Sequence, residues 1–257
     1  PNGKVYLLGV PNDPNFNELW GLHNTGQTGG MPDADIDAPE AWNLQTGSPD
    51  VVVAVVDTGI DYDHPDLVGN IWTNPGEIPG NGIDDDGNGY VDDVYGIDTA
   101  YDDSDPFDGN SHGTHVSGTI GAVGNNNVGV VGVNWRVKIM ALKAFYDEGY
   151  AYTDDIIEIL EYLLDMQARG VNVKVSSNSW GGGGYSQPLY DAIAALRDAG
   201  ILFVAAAGNS SEDNDQFLNY PSSYDLENII AVSATNHDDG LSYFSNWGAT
   251  SVDVCAP

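Results

Sequence analysis

The sequence predicts an α/β fold built on a mostly parallel sheet, and three observations carry that reading. Val51–Val56, Ile201–Ala207 and Ile229–Ala234 are apolar runs that lack the polar alternation of a half-solvated strand, as expected of strands buried on both faces. Two segments with helical character, over 153–170 and 186–200, are interleaved with such runs, and strands alternating with helices build parallel βαβ units. No internal repeat or linker divides the 257 residues, a length that one large α/β domain accommodates.

The elements follow in order. Residues 1–45 are irregular, with turn signals at Pro11-Asn12-Asp13-Pro14 and Gly26–Gly30, and a short helix is expected over Pro39–Trp42. The strand 51–56 ends at Asp57-Thr58-Gly59. Residues 61–111 have little apolar periodicity, and ten aspartates lie between Asp84 and Asp108. Gly113–Gly121 reads as a helix of small residues, which permit close packing, so a central, buried helix is expected. Val137–Phe145 is the next strand. Thr153 is the expected cap of the following helix, with Asp154 and Asp155 suited to the positive end of its dipole. Ile156, Ile157, Leu160, Leu163 and Leu164 give it an apolar face, and Gly170 ends it. Val171–Ser176 is a strand, followed by Gly181–Gly184. Ser186 and Pro188 open the second helix, which ends at Gly200.

Composition excludes several functions. There are 39 acidic against 7 basic side chains, a formal net charge of -32. Such a polyanion repels nucleic-acid phosphates and anionic lipid surfaces. No apolar run is long enough to cross a bilayer. Cys255 is the single cysteine, so no internal disulfide forms and cysteine pairing does not reveal the compartment. The acidic excess fits a salt-rich habitat, cation sites, or simply a solvated surface. The chain starts at Pro1, without Met or a signal peptide, and reads as a mature or excised piece.

Ligand and catalytic sites of parallel sheets form at the carboxyl ends of the strands. Asp57 follows the first strand, Asn209 follows Ile201–Ala207, and His112 opens the small-residue helix. Each alone has an ordinary structural use as a turn, cap or packing residue. Together they supply three parts of serine-hydrolase chemistry: a carboxylate to orient an imidazole, an imidazole base and an amide donor for an oxyanion.

Val-Val-Asp57-Thr-Gly-Ile, Ser-His112-Gly-Thr-His-Val-Ser-Gly-Thr and Ala-Ala-Ala-Gly-Asn209 occur in this order. With them the chain resembles the subtilisin-like serine proteases, or subtilases, most closely the bacterial thermitase-like branch. The resemblance runs from Pro11-Asn-Asp-Pro14 to Val252–Pro257. It implies a three-layer fold with a mostly parallel central sheet and helices on both faces. It also implies that Asp57 orients His112, that His112 is the general base, that His115 is structural and that Asn209 donates to the oxyanion. Ser179-Trp180-Gly181 would pair with substrate backbone, with Gly149-Tyr150 on the opposite rim. Ala206, Ala207 and Gly208 would wall the pocket for the residue before the scissile bond, with Asn219 near its base. A pocket walled by Ala and Gly suits a large apolar or aromatic side chain.

In the family the nucleophile lies in a Gly-Thr-Ser-Met-Ala type motif after the segment matching Val252–Pro257, and no such motif occurs in these 257 residues. Ser111 and Ser117 are not substitutes. The expectation is a catalytic domain over 11–257 lacking its C-terminal part, with the nucleophile beyond Pro257 or on a companion fragment. The alternative is a catalytically inactive module that binds calcium or peptides. Residues 1–10 read as the tail of a propeptide, hence a zymogen. The resemblance further implies a secreted protein acting on protein or peptide substrates, and a monomer.

Two calcium sites are expected. Asp84-Asp-Asp86-Gly-Asn88-Gly89-Tyr90-Val-Asp92 matches the first half of an EF-hand loop, with Gly89 at the sharp turn. Tyr95 stands where that loop needs a closing Glu, so another residue must close it; Asp93, Asp102, Asp103 and Asp105 are the candidates. The second site is implied by the resemblance: Asp66, the Asn126 side chain, the carbonyls of Val128 and Val130, and Asp13 bringing in the N-terminal arm.

Overall fold

The computed structural model describes residues 9–257. The expected propeptide tail, residues 1–10, lies outside them apart from Gly9 and Val10. Among the described residues seven strands make one sheet: β1 Gly47–Asp57, β2 Gly96–Asp98, β3 Arg136–Lys143, β4 Val173–Asn178, β5 Leu202–Ala206, β6 Ile229–Ala234 and β7 Val254–Ala256. Their order is β2-β3-β1-β4-β5-β6-β7, and every neighbouring pair is parallel. The helices are α1 Ala38–Trp42, α2 His112–Gly121, α3 Thr153–Ala168 and α4 Gln187–Asp198.

Strand β1 shows why there are three layers. Val52, Ala54 and Val56 point into a core shared with Ile159, Leu163 and Ile193 of α3 and α4. Val53 and Val55, one residue out of phase, point into a second core with Leu67 and Ile71, against which Val116 and Ile120 of α2 pack. The period of two thus sends alternate side chains to opposite faces. Each buried valine contributes about 1.5–3 kcal/mol, which accounts for an apolar run without alternation.

The sheet order places the site. β1 lies between β3 and β4, and ligands of parallel sheets bind at the carboxyl end of a strand where connections part to its two sides. Asp57 is the last residue of β1.

Four expectations are corrected. Thr153 is the first helical residue of α3 rather than its cap; the Asp155 carboxylate reaches back to accept from the Tyr152 N–H at 3.3 Å. Helix α2 is buried only along Gly113, Ser117 and Gly121, while His112, His115 and Thr119 are exposed. Its small residues serve contact with the sheet, and its other face borders open grooves. The acidic stretch 61–111 contains β2, and the irregular N-terminal region contains a 3-10 turn at Phe16–Glu18. Strands β2 and β7, three residues each, are too short to show a period. Ser186 caps α4 as expected, its Oγ accepting from the Leu189 N–H.

Candidate active site

Asp57 is 3% exposed at the end of β1. Its Oδ1 accepts from the Thr58 N–H at 2.7 Å and from His112 Nδ1, also at 2.7 Å. Among the described residues its buried Oδ2 has no partner. Burial pushes the Asp57 carboxyl up, against the hydrogen bonds from His112 and Thr58, which pull it down. The pairing holds the His112 proton on Nδ1 and leaves Nε2 with a free lone pair, as a base requires. The His112 side chain is about half exposed.

His112 reaches Asp57 because α2 begins directly over the end of β1. A Cβ on Gly113 would stand 2.1 Å from the Gly59 carbonyl oxygen, so only glycine allows this approach. Asp108 gathers the entry to the helix, accepting from the Thr58 hydroxyl and from the N–H groups of Asn110, Ser111 and Thr114. Sequence reasoning did not single out Asp108. The available signal was an aspartate opening a turn four residues ahead of His112.

Asn209 is exposed just past β5. The predicted pocket residues converge behind it. Asn219 Nδ2 donates to the Ala207 carbonyl at 3.0 Å. A Cβ on Gly208 would stand 3.2 Å from Asn219 Nδ2, and one on Gly181 3.0 Å from it. Ala206, Ala207, Gly208 and Asn209 line a groove of about 390 Å³ together with Ser179. The β4–β5 ladder ends at Asn178 opposite Ala205, and Ser179-Trp180-Gly181 runs on past it. The Trp180 ring turns inward against Phe145 and Phe203.

Gly149 and Tyr150 lie in a turn after β3, closed by bonds from Tyr146 N–H to the Tyr150 carbonyl and from Gly149 N–H to the Tyr146 carbonyl. The Tyr150 ring stacks on Tyr146. Asn110 Nδ2 donates to the Asp147 carbonyl at 2.7 Å, tying this rim to the entry of α2.

A second groove, about 670 Å³, lies between α2 and the N-terminal arm, with Leu19, Leu22, Ile36 and Val131 among its walls. Ala256 and Pro257 border both grooves.

The two expected calcium regions differ. In the first, Glu77, Asp84 and Asp86 each offer a carboxylate oxygen, all within 4.8 Å of one another. Asp92 stands apart, accepting from the N–H groups of Gly80, Asn81 and Gly82. Asn88 Nδ2 donates to Asp93, and the Tyr90 hydroxyl to Glu158. Glu77 was missed because no loop spacing marks a residue seven positions ahead of Asp84. Backbone N–H groups donate to all three carboxylates and Arg169 lies 3.6 Å from Asp86, so the cluster is already partly balanced; its hard oxygens suit calcium. In the second region, Asp66 and Asp13 are both buried. Asp66 accepts from Asn126 Nδ2 at 2.8 Å and from the Val130 N–H at 2.8 Å, and Asp13 accepts from the Asn125 N–H at 2.7 Å. The loop 125–130, carrying Val128, thus sits between the two carboxylates with its N–H groups turned to them, and the Asn126 Oδ1 accepts from the Val128 N–H.

The chain is similar to known proteins over most of its length. A model described as the subtilase family, Peptidase S8, matches residues 48–257. Thermitase from Thermoactinomyces vulgaris is 34% identical over 248 residues, covering 96% of this chain and 73% of thermitase. Subtilisin-like protease 1 of Plasmodium berghei is 41% identical over 160 residues, 62% of this chain and 26% of the relative. The chain spans only about a quarter to a third of the length of such Plasmodium relatives. An intracellular serine protease of Paenibacillus polymyxa is 37% identical over 227 residues, 86% of this chain and 60% of its own. Among solved structures, proteases from Pseudoalteromonas arctica superpose with a TM-score of 0.70 at 28% identity, over 96% of this chain and 72% of theirs.

Proposed function

The chain belongs to the subtilase family, and on that footing we propose that it is the greater part of the catalytic domain of a secreted, calcium-stabilised serine endopeptidase. The observation that carries this is the 2.7 Å bond between His112 Nδ1 and a buried Asp57 at the end of β1. A serine hydroxyl on residues that follow Pro257 attacks the substrate carbonyl, and its proton passes to His112 Nε2. The imidazolium so formed is stabilised by Asp57. Asn209 Nδ2 donates to the tetrahedral oxyanion. Collapse breaks the peptide C–N bond, and His112 returns the proton to the leaving amine. Water then repeats the cycle on the acyl-enzyme.

The two grooves beside the exposed face of α2 support a nucleophile segment that continues from Pro257, since Ala256 and Pro257 border both. Covering that face would remove it from water as the inner face already is. Substrate backbone would run between Ser179-Trp180-Gly181 and Gly149-Tyr150. The Ala206–Gly208 wall, with Asn219 at its base, would take an apolar or aromatic side chain. Residues 11–257 would belong to this domain and residues 1–10 to the tail of a propeptide, giving a zymogen. The enzyme would work as a monomer on proteins or peptides, without nucleic-acid or membrane partners. Among the described residues no helix is long and apolar enough to cross a membrane.

Calcium would be held at Glu77, Asp84 and Asp86, with Asn88 and the Tyr90 carbonyl from the same loop, and at Asp13, Asp66, Asn126, Val128 and Val130. Bound there, calcium supplies charge neutralisation that fastens the acidic loop and the N-terminal arm. Labelling of the full chain with a fluorophosphonate probe tests the reading. Labelling lost in His112→Ala supports it; a full chain that folds and takes no label makes the protein a calcium- or peptide-binding module.

A further inference from the structure

We infer that Asp108 is a positioning residue for the general base, holding His112 against Asp57 from beneath the entry to α2. The inference rests on the peptidase reading and deepens it.

Asp108 is 8% exposed and uses both oxygens. Oδ1 accepts from Thr58 Oγ1 at 2.9 Å, Asn110 N–H at 2.8 Å and Ser111 N–H at 2.9 Å. Oδ2 accepts from Thr114 N–H at 2.9 Å and Thr114 Oγ1 at 2.6 Å. Thr58 directly follows Asp57, and its Oγ1 also accepts from the Gly113 N–H at 3.0 Å. Thr114 Oγ1 in turn accepts from the Asp61 N–H at 2.9 Å. One carboxylate therefore links the residue after Asp57 to residues on both sides of His112.

The bonds act where the backbone needs them. Ser111, immediately before His112, has φ at +90°, in the left-handed region that serine seldom occupies without outside support. Its N–H is one of the groups that Asp108 holds. Burial pushes the Asp108 carboxyl up, but the bonds from Thr114, Ser111 and Asn110 outweigh it and keep the group below the usual carboxylate range. Asp108 therefore stays ionised and acceptor-only, as five donors demand. An amide in its place has one acceptor oxygen and turns its NH₂ toward groups that also donate. Ser111 is then free to relax, and the imidazole with it.

The test is Asp108→Asn in the full chain, read by the NMR resonance of the His112 Nδ1 proton together with thermal unfolding. The expected result is a folded protein, with a lowered melting temperature, in which that resonance moves upfield or is lost to exchange. A resonance at its parental position, with only the melting temperature reduced, overturns the inference, since Asp108 is then a brace and nothing more. If Asp108→Asn does not fold, Thr58→Val gives the same reading: it keeps the Asp108 charge and cuts its link to Gly113. Loss of the resonance in Thr58→Val with its return in Thr58→Ser supports the role, and an unchanged resonance in Thr58→Val overturns it. The readout needs no cleavage. Failure of the positioning role is therefore distinct from failure of the peptidase reading, which fluorophosphonate labelling reports.

Discussion

Gly113 lies so close to Gly59 that a Cβ on it would meet the Gly59 carbonyl oxygen at 2.1 Å and the Asp57 Cβ at 3.0 Å. This approach lowers the first turn of α2 onto the end of β1 and sets His112 beside Asp57. The obstacle is backbone, which cannot swing aside as a side chain end would. Gly113→Ala is therefore expected to cost about 1–3 kcal/mol through overpacking and to separate the pair. Urea denaturation measures the first effect and fluorophosphonate labelling rate the second. Parental values for both would contradict the close contact.

Asp57→Asn keeps the shape of the site and removes the charge that orients His112. The amide favours the wrong imidazole tautomer. In the full chain kcat should fall by about four orders of magnitude with little change in KM. A loss confined to KM would mean that Asp57 acts in substrate binding.

Asn209→Ala removes a donor from an exposed position that makes no contribution to the core. Melting temperature should hardly change, while kcat falls by about 10²–10³. Unaltered kcat would show that backbone donors alone stabilise the oxyanion.

Asp98 is 3% exposed, and burial pushes its carboxyl up to about 6, against the Tyr101 N–H and Lys143, which pull it down. A raised carboxyl holds its proton longer in the folded state than in the unfolded one. Its contribution to stability therefore falls as pH rises from about 4 to about 6 and stays lost above that. Asp98→Asn should match the parent near pH 4 and exceed it near pH 7 by about 1–2 kcal/mol, less than the full shift implies because water and Lys143 compensate part of it. Denaturation curves at the two pH values decide it; equal stabilities at both refute the assignment.

Chelation should lower the melting temperature. Calcium at a hundredfold excess over Kd would stabilise the fold by about 2.7 kcal/mol per site, and removing it leaves only Arg169 and backbone N–H groups to balance Glu77, Asp84 and Asp86. Glu77→Gln should shrink the chelator-sensitive part of the melting temperature. Asp66→Asn should do so independently, because the second region has its own ligands. A melting temperature indifferent to excess EGTA rules out both sites.

Much of this protein was legible along the chain. The strands at 51–56, 201–207 and 229–234 could be read because burial on both faces leaves a continuous apolar run. The segments around Asp57, His112 and Asn209 could be read because each is a contiguous motif. What local pattern cannot encode is which distant groups become neighbours. Glu77 joins Asp84 and Asp86 only through the folding of an irregular acidic loop. Asp108 meets Thr58 across fifty positions. Helix α2 exposes His115 and Thr119 because its buried stripe is set by the sheet beneath it, not by its own composition. Local sequence determined which residues seek burial and which carry chemistry. The sheet order, with β1 between β3 and β4, decided which of them meet, because a hydrogen bond or a shared charge depends on separations of a few ångströms that only the packed chain defines.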